Sequence, residues 1–127
     1  MFQINNKVST SNTKLYDAFG ELLFVLVKAD GEFQEEERET LNKILANHHW
    51  SKEILWSFNY ESKNNHDLDD LYKKVLFACY DIGPNPEYQF MIEVLEAVAE
   101  SSLGIVETER KIIESFKQDL LTEFGKR

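Results

Sequence analysis

The sequence predicts an all-α fold, a compact bundle of about six helices. Apolar residues recur at steps of three and four along each long segment, which is the spacing of one helix face. No segment shows the sustained alternation of apolar and polar residues that a half-buried strand requires. The stretch GPNPE is a helix start signal, with Asn85 as N-cap and Pro86 at the first helical position.

The first long apolar segment predicts a central, deeply buried helix. Its main stripe consists of Leu15, Phe19, Leu22, Leu26 and Ala29. Phe24, Val25 and Val27 widen the stripe nearly all round the helix, as in a helix buried on every side. Thr13 is the predicted N-cap, so residues 1–12 are expected to be a loosely ordered amino-terminal segment.

Five further helices follow from the same periodicity. The second begins at Glu35 and ends near the NHHW stretch, and the third begins with Ser51 as N-cap before a polar loop at 59–65. The fourth runs from Leu68 to Ile82, the fifth follows Asn85, and the sixth runs from Glu107 to about residue 124. One core is expected to contain Leu22, Leu26, Val94, Leu95, Val98, Ile113 and Phe116.

Composition limits the class of protein. Residues 1–127 are the length of one domain and need no disulfide to fold. The formal net charge of −9 disfavours nucleic acid and anionic membrane surfaces as partners. Cys79 is the only cysteine and lies in an apolar stripe, so it is expected to be buried, and a reducing compartment fits. No apolar run approaches the ~20 residues of a membrane helix, so a cytoplasmic protein without membrane insertion is expected.

The stretch VKADGEFQEEER resembles the second half of a calcium-binding EF-hand loop, but the residues at two ligand positions cannot bind calcium. If Gly31 is position 6 and Glu37 is position 12, positions 1 and 3 are Leu26 and Lys28, where carboxylates are needed. A corner between two helices accounts for the stretch better. Gly31 then permits a positive φ after the first helix, and the Phe33 side chain is expected to pack between the two helices at the corner.

The corner recurs downstream as ESSLGIVETER, which predicts two related helical hairpins. In each repeat a glutamate, Glu37 or Glu109, lies at the base of an apolar helix face, where its burial must be offset by donors or a cation. Each glutamate either bonds backbone N–H groups at the head of its own helix or shares a cation with the other across a pseudo-twofold axis.

The residues Ala29-Asp30-Gly31-Glu32-Phe33, followed by Glu37, resemble the first motif of the TerB-like family. This family includes tellurite-resistance TerB proteins and the amino-terminal domain of DjlA co-chaperones, and the resemblance extends from about residue 15 to 120. It implies a compact helical bundle and a divalent-metal role for Asp30, Glu37 and Glu109. The second motif departs from the family, because Ser102 and Leu103 stand where Asp-Gly is expected and Gly104 is displaced by one.

Other polar constellations have simpler explanations. Adjacent residues on a helix point about 100° apart, so the rings of His48 and His49 cannot both face one metal ion. We interpret the two residues as the polar end of a helix. The acids of the stretch 66–70 fit the first turn of a helix. No phosphate loop, nucleophile elbow or zincin helix is present, and we expect no enzyme.

Two hypotheses of function follow. The first is a non-enzymatic interaction and stress-response module that docks a protein partner through an acidic surface. The second is a metal-responsive domain in which the acidic corners bind a divalent ion. The remaining acids are expected to be solvated, and Trp50 and Trp56 are candidate exposed aromatics. The acids concerned are Glu32, Glu35, Glu36, Glu39, Asp67, Asp69 and Asp70.

Overall fold

The computed structural model describes residues 2–29, 35–46, 48, 50–64, 66–101 and 107–125, with side chains from Thr13 onward. Within these residues every regular element is an α-helix, which confirms the all-α class. The helices are α1 (Phe2–Lys28), α2 (Glu35–Leu45), α3 (Ser51–Ser62), α4 (Leu68–Ile82), α5 (Glu87–Glu100) and α6 (Glu107–Gly125). No helix of the described part is long and apolar enough to cross a membrane.

Helix α1 is the centre of the bundle and packs against α3, α4, α5 and α6, whereas α2 packs against α5. Every side chain from Ala18 to Val27 is buried, as the all-round apolar pattern predicts. The predicted core is confirmed, because all seven of its residues are buried in one cluster.

Helices α1 and α3 approach each other closely at Gly20. A Cβ atom at this position would lie 2.4 Å from the Ile54 carbonyl oxygen and 2.7 Å from the Ser57 Cβ. The Ser57 hydroxyl donates a hydrogen bond of 2.7 Å to the carbonyl oxygen of Asp17. This part of α1 therefore requires glycine, since any side chain would push the two backbones apart.

The predicted N-caps of α1 and α3 are wrong. Helix α1 begins at Phe2, so Thr13 lies inside the helix. The expectation that residues 1–12 are loosely ordered stays a prediction. Ser51 is the first residue of α3, and the cap position belongs to Trp50, whose side chain makes no capping hydrogen bond. Ser51 misses the cap position by one residue, whereas Thr13 lies eleven residues after the first residue of α1.

The turn between α4 and α5 keeps the predicted hydrogen bond of Asn85, but α5 begins at Glu87 with Pro86 at its N-cap, so both predicted positions are wrong by one residue. The Asn85 Oδ1 accepts a 2.8 Å hydrogen bond from the Glu87 N–H, which is the capping contact expected of Asn85. Helix α4 ends at Ile82, and its C-cap Gly83 has a φ of 88°, which favours glycine. The Tyr88 hydroxyl lies 3.0 Å from the Cys79 carbonyl oxygen and 2.8 Å from that of Gly83, so it fixes the turn.

Candidate functional site

One glutamate in the acidic first turn of helix α2 points into the protein interior. Glu37 is 1% exposed, and it shares the buried face of the helix with Leu41 and Leu45 at steps of four residues. Glu35, Glu36 and Glu39 are exposed. The inward position of Glu37 is therefore confirmed, and so is the solvation of its three acidic neighbours.

Glu109 occupies the equivalent position in α6. Each glutamate is the third residue of its helix, and each has a buried apolar residue four positions later, Leu41 or Ile113. Glu109 is also 1% exposed. The structure thus confirms that both repeats place a buried carboxylate at the base of an apolar face.

The predicted metal site is only partly within the described residues. Asp30, Gly31 and Phe33 lie outside them, as do Ser102, Leu103 and Gly104. In the part of the chain that the structure describes, no three side chains of His, Cys, Asp or Glu lie close enough together to hold a metal ion. A site built from Asp30, Glu37 and Glu109 therefore stays a prediction.

His48 belongs to an aromatic cluster between α1 and α5, while His49 lies outside the described residues. The His48 ring stacks on Phe90, with centroids 4.7 Å apart, and meets the edge of Tyr16. Its Nδ1 accepts a 3.0 Å hydrogen bond from the Trp50 N–H, and its Nε2 lies 3.4 Å from a Glu87 oxygen. Both ring nitrogens are thus engaged in holding the cluster together.

Trp50 is part of the same cluster and does not have the exposed position suggested for it. Its indole stacks on Tyr16 with centroids 5.0 Å apart, and the residue is half-buried. Trp56 is exposed as expected, at 60%, and stacks on Tyr60 at 5.5 Å.

Sequence reasoning missed a set of acids at the interface of α1 with α3. Asp17 and Glu21 on α1 face Glu53 and Glu61 on α3, and we call these four residues the interface acids. Glu21 and Glu61 are buried. A signal was present, because a helix that is apolar all round also buries any acid that lies within it.

Asp17 and Glu53 form a carboxyl pair that shares a hydrogen bond. Burial, the hydrogen bond to Glu53 and repulsion by the Glu53 charge together raise the pKa of Asp17 to about 7, with burial the largest cause. The Asp17 Oδ1 is buried and has no hydrogen-bond partner among the described residues. The pair therefore holds a proton near neutral pH, as closely placed carboxylates do.

The other two interface acids have basic partners. The Lys74 Nζ on α4 lies 2.7 Å from a Glu21 oxygen, and the His66 Nδ1 lies 2.7 Å from a Glu61 oxygen. Burial raises the pKa of Glu21, whereas the bond to Lys74 opposes the rise. Asp17 thus has a proton, Glu21 has a cation and Glu61 has a contact with a histidine to offset desolvation, and the Glu21–Lys74 pair ties α1 to α4.

Glu61 also corrects the predicted end of α3. The polar stretch from Asn59 was expected to be a loop, but the helix continues to Ser62 and buries Glu61 on its inner side. The polarity of this stretch reflects its exposed residues, Asn59 and Tyr60, and the contact between Glu61 and His66 on its inner side.

Comparison with protein-family models, with curated proteins and with solved structures found no match to this chain. The TerB-like resemblance thus stays a prediction based on the motif around Asp30 and Glu37.

Proposed function

We propose that the chain is a non-enzymatic protein-interaction module of the TerB-like kind, which docks a basic segment of a partner on the first turns of α2. The docking surface consists of Glu35, Glu36 and Glu39, which we call the acidic face. At 100° per residue these three side chains span about 100° of the helix. Glu37, which is buried, points to the opposite side. This division of four glutamates into one inward and three outward is the observation that supports the proposal.

The stability of α2 depends only weakly on the acidic face. An acid in the first turn of an exposed helix stabilises it by about 0.3–1 kcal/mol through the helix dipole. Neutralising the acidic face should therefore leave the bundle folded, while a bound basic segment would lose most of its electrostatic attraction. The two roles can be separated by experiment.

The non-enzymatic part of the proposal rests on how the ionisable side chains are used. The acids most strongly perturbed by burial, Asp17 and Glu21, lie at a helix interface and are paired with Glu53 and Lys74. Such pairing is the behaviour of structural groups, and a catalytic acid or base must reach a substrate. The link to tellurite resistance or to co-chaperone assemblies rests on the resemblance alone.

The test begins with a pull-down from native cells, followed by affinity measurements with the purified partner. The variant Glu35→Gln/Glu36→Gln/Glu39→Gln should bind at least tenfold more weakly at low salt, and its affinity should depend less on salt. The matched control, Glu93→Gln/Glu100→Gln/Glu114→Gln, removes the same charge from exposed positions elsewhere. Equal affinity and equal salt dependence of the two triple variants would refute docking on the acidic face, and the exposed pair Trp56 and Tyr60 would become the next surface to test.

A metal-responsive domain is the second candidate, favoured by the burial of Glu37 and Glu109 at equivalent helix positions. An ion at 100 times its dissociation constant would add about 2.7 kcal/mol, or roughly 10 °C in melting temperature for a domain of this size. Such a shift with sub-millimolar Ca²⁺, Mg²⁺, Mn²⁺ or Zn²⁺, abolished by Asp30→Asn, would favour this function over docking. No shift with any of the four ions would contradict it.

A further inference from the structure

A pocket of about 630 Å³ lies between α5 and α6, where α5 begins and α6 ends. This volume is within the range of small-molecule sites. The Tyr88 and Phe124 rings stack between the two helices with centroids 5.7 Å apart, and Leu121 is 69% exposed. The apolar side chains that line the pocket are Tyr88, Ile92, Leu120, Leu121 and Phe124. A molecule that enters the pocket therefore meets a mainly apolar wall.

The two charged residues among the described lining, Glu96 and Lys117, are paired with each other. The Lys117 Nζ lies 2.9 Å from a Glu96 oxygen on the neighbouring helix and 3.8 Å from a Glu114 oxygen on its own helix. The described lining thus has no net charge, and its one cation is already neutralised. A charged ligand would find no unpaired charge of opposite sign there.

The polar groups around the pocket are also engaged. The Tyr88 hydroxyl donates toward the carbonyl oxygens of Cys79 and Gly83, at 3.0 and 2.8 Å. The Gln89 side-chain amide donates a 3.1 Å hydrogen bond to a Glu93 oxygen. These donors serve the protein's own acceptors, so they do not call for a polar ligand.

The start of α5 is closed to anions in the same way. A helix N-terminus binds an anion through N–H groups that have no partner within the helix. At α5 the first three N–H groups donate to Asn85 and Pro86, at distances of 2.8, 3.1 and 3.2 Å. Within these three residues no unbonded N–H group faces a ligand.

These features define the chemistry of the occupant. A charged group that entered the pocket would lose hydration without gaining an ionic partner, whereas an apolar ring would gain contacts with the aromatic wall. We propose that this pocket binds a small uncharged molecule with an apolar, ring-containing body. A second copy of the chain is a poorer occupant, because two chains with a net charge of −9 repel each other. The proposal is independent of docking on the acidic face, which lies on α2.

The test uses 2-naphthol, which is uncharged near neutral pH, with binding followed by two-dimensional amide NMR of the full chain at physiological salt. Two compounds keep the same ring body and add a charge: 2-naphthalenesulfonate is an anion and 2-naphthylmethylammonium is a cation. We expect 2-naphthol to bind about fivefold or more tightly than either charged compound, with the largest shifts in the segments 88–96 and 117–125, which contain the pocket lining.

Variants at two neighbouring positions of α6 then localise the binding. Leu121→Asp places an unpaired carboxylate in the lining and should weaken 2-naphthol binding by about fivefold or more, while Leu121→Met should retain it. The matched control Thr122→Asp adds the same charge at the next residue, which does not line the pocket, and should bind as the unmodified chain does. Both positions are exposed, so the variants should fold, which circular dichroism melting checks.

Three results would overturn the proposal in the ligand experiments: equal binding of the three compounds, shifts centred outside the two segments, or equal weakening by the two Asp variants. A fourth would come from sedimentation of the unmodified chain. A dimer that Leu121→Asp dissociates would mean that a second copy covers the pocket.

Discussion

Replacing Asp17 by Asn should remove most of the pH dependence of stability that arises at the interface of α1 and α3. Asp17 has a pKa of about 7 in the folded protein and 3.8 as its ordinary value. The folded state therefore holds a proton that the unfolded state has lost between these two pH values. Since the folded state binds more protons in this window, stability falls as the pH rises from about 4 to about 7 and then levels off.

The size of the effect follows from the two pKa values. At 1.36 kcal/mol per pKa unit, the difference between 3.8 and about 7 corresponds to about 4 kcal/mol. Asp17 is only partly buried, so solvent screening reduces this to about 2 kcal/mol. The groups that face it are Glu53 on α3, Glu21 on its own helix and Lys74 on α4, and only Lys74 lowers its pKa.

The assay is urea unfolding followed by circular dichroism at pH 5 and pH 8. At pH 8 the Asp17→Asn variant should be more stable than the unmodified protein by about 2 kcal/mol. The Asn amide can donate a hydrogen bond to the Glu53 carboxylate, and it places no second negative charge beside it. At pH 5 the two proteins should be similar in stability, since Asp17 is then protonated.

The control Glu93→Gln removes one negative charge at an exposed position of α5. Its stability should keep the pH dependence of the unmodified protein. Parallel stability curves for Asp17→Asn and the unmodified protein between pH 5 and pH 8 would show that the carboxyl pair does not hold the extra proton.

Three further predictions concern packing and the thiol. Gly20→Ala should destabilise the fold by about 1–3 kcal/mol, because its Cβ would lie 2.4 Å from a backbone oxygen. Gly125→Ala, with nothing within 4 Å of its Cβ, should be neutral within about 0.5 kcal/mol, and equal melting temperatures of the two variants would contradict the close contact. Leu26→Ala should cost about 2–5 kcal/mol in urea unfolding, and a loss below about half a kilocalorie would mean that α1 is not central. Burial raises the pKa of Cys79 to about 12, so its alkylation by iodoacetamide at pH 8 should require unfolding; rapid alkylation of the folded protein, measured by mass spectrometry, would contradict its burial.

The fold class, the core and the inward direction of Glu37 and Glu109 could all be predicted from the amino-acid sequence. Each of these depends on spacing along one helix, since residues three and four apart share a face whatever the rest of the chain does. The same spacing placed Cys79 in the core, which is confirmed.

The partners of the interface acids depend on how the helices pack against one another. Glu21 meets Lys74 53 positions later in the chain, and no pattern within one helix predicts a contact of that range. The end of α3 was misjudged for the same reason, because Glu61 is polar in sequence but buried against His66 in space. A pKa and an ion pair depend on distances between helices, whereas hydrophobic periodicity reports only which side of one helix faces inward.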